Sequence, residues 1–317
     1  MIDETFDYPE YLEIKQAIDD RSLNQSVWHA LTAALRSQID NHGLRILEIG
    51  AGTGSMIIRL LDAGLLGHCQ YCAVELEPGF ARVAENQLSI WAGAHGCRME
   101  VIGPSNWILE KDQKVIEIQW LEADILKLAA TFESGYFDLL IGHAIIDLLP
   151  VPECMPGLLN LLKPGGGYYF SLNFAGVTCL SPSHHRDLEI TAAYHHDMDS
   201  RFPDLTWRAS QAGQLLGNWL KKQGHLVLAE GDSPWQLSSA PTSSSCGEDR
   251  FIGNILDTME KALAGREGLE DWLGLRRRQL DSGRLLFFAA NRDYFGRTRL
   301  VDAPQSKETN QQNDDIT

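Results

Sequence analysis

Apolar residues over the first 175 positions alternate between two spacings. Compact runs at Arg45–Ile49, Gln70–Glu75 and Phe137–Ile141 have the length of buried strands. Ile116, Ile118 and Trp120 set against Glu117 and Gln119 predict a half-buried strand ending near Asp124, and Tyr168–Leu172 predicts another. Between these runs the period lengthens to that of a helix. Val27, Leu31, Leu35 and Ile39 form one stripe. Met56–Leu61 forms a second, Phe80, Ala84, Leu88 and Trp91 a third, and Met155–Leu162 a fourth. Gly64 and Gly96 stand where helices stop and Pro78 where one starts, while Ser22 with Gln25 predicts a capping box. Residues 97–114 are expected to be an irregular insertion. Strands alternating with helices imply βαβ units, hence a mostly parallel sheet with helices on both faces.

After residue 177 the rhythm changes. A polar, His-rich segment (181–205) precedes an amphipathic helix carrying Leu215, Leu216, Trp219 and Leu220, and Leu226–Glu230 reads as a strand. A Ser-rich loop (238–245) leads to two helices, one with Phe251, Ile252, Ile255, Leu256 and Met259, the next with Trp272 and Leu273. Leu285–Ala289 reads as a last strand, and residues 302–317, with almost nothing to bury, are expected to be disordered.

Composition narrows the partners. Asp plus Glu total 43 against 27 Lys plus Arg, a formal charge of −16, which argues against nucleic acid and anionic membranes and favours a small-molecule substrate. No apolar run approaches the ~20 residues of a membrane span. Met1-Ile2-Asp3-Glu4 is acidic without an apolar leader, and six cysteines are scattered through the chain, so reduced thiols and a cytoplasmic location are expected. Cys69 and Cys72 form one CxxC, but with no second pair and Cys72 inside a strand they read as packing, and no metal is expected.

The most informative segment is Ile46-Leu47-Glu48-Ile49-Gly50-Ala51-Gly52-Thr53-Gly54, a strand running into three glycines at alternate positions and then a helix. Such a bend lets a nucleotide-like ligand lie against bare backbone. A dinucleotide fingerprint would place its third glycine three positions after Gly52, where Ser55 stands. The pattern is instead E-x-G-x-G-x-G, which resembles the glycine motif of class I S-adenosylmethionine (SAM)-dependent methyltransferases. Glu75 at the end of the second strand, Asp124 in Glu122-Ala123-Asp124-Ile125, and Phe137-Asp138-Leu139-Leu140-Ile141 followed by Leu162-Lys163-Pro164-Gly165-Gly166 extend that resemblance over roughly residues 43–175. The second half is similar to a bacterial branch of the family and names no acceptor.

The resemblance implies a Rossmann-like, mostly parallel seven-stranded sheet with one antiparallel strand, for which Leu285–Ala289 is the candidate, plus helical additions. It implies SAM as cofactor, held by Glu48, Gly50, Gly52, Gly54, Glu75 on the ribose hydroxyls, Asp124 on the adenine amino group and the Ile125 backbone N–H on a ring nitrogen. A helical cap (1–42), a SAM-binding core (43–177), a helical insertion lining an acceptor pocket (178–222), strands and helices completing the sheet (223–301) and the tail (302–317) would follow. His143 is the first candidate for catalytic base or orienting group, Asp147 the second, and His195 a third, sharing a helix face with Asp199. The chain lacks the Asn/Asp-Pro-Pro-Tyr/Phe that many nitrogen-methylating members carry after the fourth strand, which favours an oxygen or carbon acceptor. Arg21 and Asn24 are placed within reach of the SAM carboxylate, and Arg276-Arg277-Arg278 is read as a solvated helix face. The alternatives are an NAD(P)-dependent oxidoreductase and a SAM-binding sensor without turnover.

Overall fold

The protein is described here as a computed structural model covering residues 8–37, 43–241 and 247–300, with side chains from residue 14 onward. The expected tail at 302–317 lies outside the described residues.

Two helices come first, α1 (Tyr8–Ser22) and α2 (Gln25–Arg36). The capping box at Ser22 does not form. The Ser22 hydroxyl donates back to Ile18 O, and Asn24 caps α2 by accepting from Val27 N at 3.1 Å. Strand β1 (Leu44–Ile49) is buried on both faces and lies between β2 (Cys69–Glu75) and β6 (Phe137–His143), both parallel to it. Its continuous apolar run is what a central strand requires. Helix α3 (Ser55–Asp62) joins β1 to β2, and α4 (Phe80–His95) follows β2.

Residues 97–114, expected to be irregular, form a hairpin instead: β3 (Arg98–Gly103) and β4 (Asn106–Lys111), with β4 pairing antiparallel to β5 (Lys114–Glu122). The β4–β5 turn places Asp112 and Gln113 both at positive φ, the two-residue hairpin geometry that Asn-Gly or Asp-Gly normally signals. Strand β7 (Leu162–Ser181) follows α5 (Val151–Asn160) and is far longer than the predicted Tyr168–Leu172. It runs four residues past the expected core boundary at 177. From Gly167 to Ser181 it pairs with β10 (Leu286–Arg297), which also outruns the predicted Leu285–Ala289. Between them lie α6 (Asp187–Asp199), α7 (Ala212–Lys222), β8 (Leu226–Asp232), β9 (Trp235–Ser238), α8 (Glu248–Ala262) and α9 (Leu269–Asp281).

The sheet order is β3-β4-β5-β2-β1-β6-β7-β10-β8, with β9 also on β10. Inside it sits the expected seven-stranded Rossmann-like core, β5-β2-β1-β6-β7-β10-β8. There β10 alone runs against the rest, because β8 is antiparallel to β10 and so aligned with the parallel set. The β3–β4 hairpin and β9 bring the count to ten strands instead of seven, and β4 adds a second reversed strand. Apolar cores fill both faces of the sheet, one with Leu31, Ile46, Met56 and Ile118, the other with Leu140, Met155, Phe170 and Leu216. A third core joins α8, α9 and β9. Among the described residues no helix is long and apolar enough to cross a membrane. Cys69 and Cys72 are buried on β2, and burial pushes both thiols up to about 12, so they pack as the sequence predicts.

Candidate functional site

The carboxyl ends of β1, β2 and β6 meet where the glycine bend leaves β1. Gly50 has φ +66°, and a Cβ there would meet Ile145 Cγ1 at 2.7 Å, so this glycine permits close packing beneath the bend. Gly52 has φ +55° with open space where a Cβ would stand, the geometry of a cradle for a ligand. Gly54, also left-handed, is the N-cap of α3.

Glu75 ties β2 to this bend. Its Oε2 accepts from Gly52 N at 2.8 Å, and Oε1 accepts from Leu76 N and Glu77 N at 2.8 and 3.0 Å. Glu122 of β5 stands in register with Glu75, which brings Asp124 to the same edge. The Asp124 carboxylate caps the short 3-10 helix Ile125–Ala130 by accepting from Leu126 N at 3.0 Å. Leu76 and Leu126, each just beyond an edge residue that the sequence singles out, are exposed leucines at a polar edge. Sequence reading overlooked them, although a leucine next to each such site was the available signal.

An open cavity of about 270 Å³ lies against the bend, close to the lower end of the ~300–1,000 Å³ of small-molecule sites. Gly50, Ala51, Gly52 and Thr53 form its floor, Glu48 and His143 one wall, and Lys15, Gln16 and Asp19 of α1 its roof. A comparable groove at the amino ends of β1 and β2, lined by Arg45, Gln70 and Tyr136, carries none of these groups.

Glu48 is 1% exposed, and its Oε2 accepts the Tyr71 hydroxyl at 2.8 Å. Burial pushes its carboxyl up to about 8, more than the Tyr71 bond and Arg59 pull it down. Asp19, missed in the sequence, is buried opposite. It pairs with Lys15, accepts Trp235 Nε1–H at 3.2 Å and lies 3.2 Å from His143 Nε2. Burial would raise its pKa, but Lys15 and His143 together outweigh that and hold it well below the usual carboxylate range. An ionised Asp19 assigns the donor role to His143 Nε2, so Nδ1 accepts from Ser171 Oγ at 2.7 Å. Burial lowers His143 to about 4, which leaves it neutral near pH 7 with both nitrogens engaged.

The backbone beside this chain of bonds is strained. Ala144 and Leu172, next to His143 and Ser171 on paired strands, sit at φ +51° and +54°. Buried Asp293 of β10 holds the bend at Leu172 by accepting Leu172 N at 2.7 Å, Asn24 N at 2.8 Å and the Ser233 hydroxyl.

The other predicted residues are placed less centrally. Asp147 lies on a 3-10 turn (Ile146–Leu148) after β6, half-buried, and burial pushes it up to about 6. Its carboxyl contacts its own backbone N–H, and Arg201 and Lys15 are nearby charges. His195 sits on α6 against Thr178 Oγ1 at 3.0 Å and Phe174, on the extension of β7 and outside the cavity lining. Arg21 turns to Glu248 at 2.7 Å and Asn24 to its cap and Asp232 O, so neither reaches the cavity. Arg276 corrects the solvated-face reading: it is fully buried and bonded to Asp187 and Pro182 O, while Arg277 meets Asp257 and Glu260. Among the described residues no group of three His, Cys, Asp or Glu side chains could hold a metal.

No family model matches the chain. A stretch of 135 residues is 30% identical to the highly reducing polyketide synthase easB of Emericella nidulans, covering 40% of this chain and 4% of that protein. The chain thus spans a small fraction of the length of the curated relative it matches. A Bacillus halodurans protein provisionally described as a methyltransferase has a TM-score of 0.48 at 12% identity, over 85% of this chain and 99% of that one. Geranyl diphosphate C-methyltransferase from Streptomyces coelicolor, solved with Mg2+, geranyl diphosphate and S-adenosyl-L-homocysteine, has a TM-score of 0.40 at 11% identity, over 85% and 79%.

Proposed function

We propose that the chain is a class I SAM-dependent methyltransferase acting on a small-molecule acceptor, with oxygen or carbon favoured over nitrogen. The observation that carries this reading is the junction of the bare bend with Glu75: Gly52, open to the cavity, donates its N–H to that carboxylate at 2.8 Å. The residues present fit an adenosyl ligand. Glu75 stands at the ribose position, where Oε2, holding one backbone bond, keeps a lone pair for a ribose hydroxyl while Oε1 already accepts from Leu76 N and Glu77 N. Asp124 and the Ile125 N–H serve the adenine edge, with Leu76 and Leu126 as apolar surfaces for its ring.

When bound, SAM supplies a sulfonium whose methyl is already electrophilic, so the protein's part is alignment and exclusion of water. Gly52 keeps the floor bare, Gly50 lets the bend pack down on Ile145, and α1 roofs the cavity with Lys15, Gln16 and Asp19. Asp19 and Ser171 fix the neutral His143 ring, making it a positioning group. Asp147, whose carboxyl has no side-chain hydrogen bond among the described residues and is raised to about 6, is the proton acceptor for an acidic O–H or C–H. His195 is left without a catalytic part.

Calorimetry with SAM, S-adenosylhomocysteine (SAH), NAD and NADP tests the reading. Binding of SAM and SAH alone is the expected result. Binding of a dinucleotide would move the assignment to an oxidoreductase. SAM binding without methyl transfer across a broad acceptor screen would move it to a sensor.

A further inference from the structure

Two carboxyls line the cavity, and they are not equivalent. Asp19 is matched by Lys15, whereas Glu48 has no ion pair among the described residues. Glu48 has one hydrogen bond, from the Tyr71 hydroxyl to Oε2, and Oε1 has no partner among the described residues. The titratable groups around Glu48 are Tyr71 and Glu75 of β2, Arg59 of α3, His143 of β6, and Lys15 and Asp19 of α1. Arg59 pairs with Asp20 through Nε at 2.5 Å, leaves its buried Nη2 without a partner among the described residues and pulls the Glu48 carboxyl down less than burial raises it, and His143 is neutral. What remains is an acid that burial keeps protonated at neutral pH, on the wall of a cavity read above as the seat of a cationic methyl donor.

A cation brought beside a buried carboxyl favours its ionised form, and a neutral ligand in the same place does not. We infer that Glu48 reads the charge of the methyl donor, releasing a proton when a sulfonium occupies the cavity and recovering one when transfer leaves a neutral thioether. The balance closes. In the transfer the acceptor's X–H pair of atoms separates, X takes the methyl, the S–CH3 electrons return to sulfur, and one proton is left over. Each turnover therefore yields one proton net, whether Glu48 or the acceptor step delivers it. The consequence is a protein that holds the spent cofactor less firmly than the fresh one, and increasingly so as pH rises toward 8. The inference rests on the SAM reading above and deepens it.

The test is titration calorimetry of the full chain with SAM and with SAH between pH 6 and 8.5, in pairs of buffers of different ionisation enthalpy. SAM affinity is expected to rise with pH up to about tenfold per unit, the limit for one linked proton, with nearly one proton released below pH 7. SAH affinity is expected to vary less than about threefold over the same range, without proton release. Glu48→Gln, close in shape and able to keep the Tyr71 bond, should still bind SAH while losing both the slope and the proton release with SAM. Equal slopes for the two ligands, or a slope that survives in Glu48→Gln, would overturn the role of Glu48 and leave the SAM reading intact. Failure of both ligands to bind the native chain would remove the SAM reading itself. If the variant binds neither ligand, the proton counts of the native chain with the two ligands decide.

Discussion

The floor and the roof of the cavity are built in opposite ways. The floor is local: Gly52, Glu75, Leu76 and Glu77 bond within one βαβ unit, mostly through backbone N–H groups, and the longest separation is 23 residues. The roof is assembled from the whole chain. Asp19 reaches His143 across 124 residues, Arg21 reaches Glu248 across 227, and Asn24 N reaches Asp293 across 269. A floor of backbone donors and bare glycines is sensitive to volume and shape. A roof of buried charges is sensitive to protonation and to the loss of any one partner, because an orphaned buried polar group costs more than the pair contributes. Substitutions on the cavity side of the floor should therefore register mainly in ligand affinity, and roof substitutions mainly in stability.

The largest effect is expected at the hub of the roof. Asp293→Ala leaves Leu172 N, Asn24 N and the Ser233 hydroxyl without their acceptor and frees a residue held at positive φ. We expect a loss of about 3–5 kcal/mol, because each buried donor left without its acceptor costs about 1–3 kcal/mol. Urea denaturation measures it, and a loss below about 1 kcal/mol would mean that the roof is not tied through this residue.

Next is a pH effect on the same side. The folded pKa of His143 is lowered by burial to about 4 from 6.5, so the unfolded chain binds its proton first as the solution is acidified. The contribution of the neutral ring is present above pH 6.5 and is lost as pH falls toward 4, by at most about 3 kcal/mol. Asp147 and Asp293, raised to about 6, and Glu48, raised to about 8, act the other way: they lose stability as pH rises. The quantity to measure is therefore the stability of the native chain minus that of His143→Gln. It should decline as pH falls from 6.5 to 4, and a constant difference would show that the folded ring titrates as the unfolded one does.

The same contrast explains what could be read from the sequence. The order of strands in the core, the bend and the edge positions of Glu75 and Asp124 are encoded by neighbours in the chain, and periodicity exposes them. Asp19, Ser171, Trp235 and Asp293 carry no local signal. Asp19 sits in a polar helix as an ordinary acid, and its importance arises when His143, over a hundred residues later, folds beneath it. Arg276 misled for the same reason, since three consecutive arginines resemble a solvated face until Asp187 is brought against one of them. The β4–β5 hairpin was hidden because its turn uses Asp112-Gln113, which takes the left-handed geometry without the glycine that would have announced it.

On the floor, Glu75→Ala removes the acceptor of three backbone N–H groups and the proposed partner of the ribose. SAM affinity should fall by about 1.5–3 kcal/mol, the range for hydrogen bonds to charged groups. Stability should fall less, because Leu76 and Glu77 remain open to water. An unchanged dissociation constant would take Glu75 out of the site.

The smallest stability effect is the most discriminating, and it comes from comparing two neighbouring glycines. Gly50→Ala drives a Cβ to 2.7 Å from Ile145 and should cost about 2–3 kcal/mol from overpacking added to backbone strain. Gly52→Ala meets nothing within 4 Å, so it should cost about 1 kcal/mol, that of a non-glycine residue at φ +55°. The new methyl would nevertheless stand where a ligand is to lie against the backbone. Gly52→Ala should therefore weaken SAM binding out of proportion to its small stability loss, and Gly50→Ala should do the reverse. Equal losses of affinity per unit of stability in the two variants would mean that the bend is a packing device, with no cradle above it.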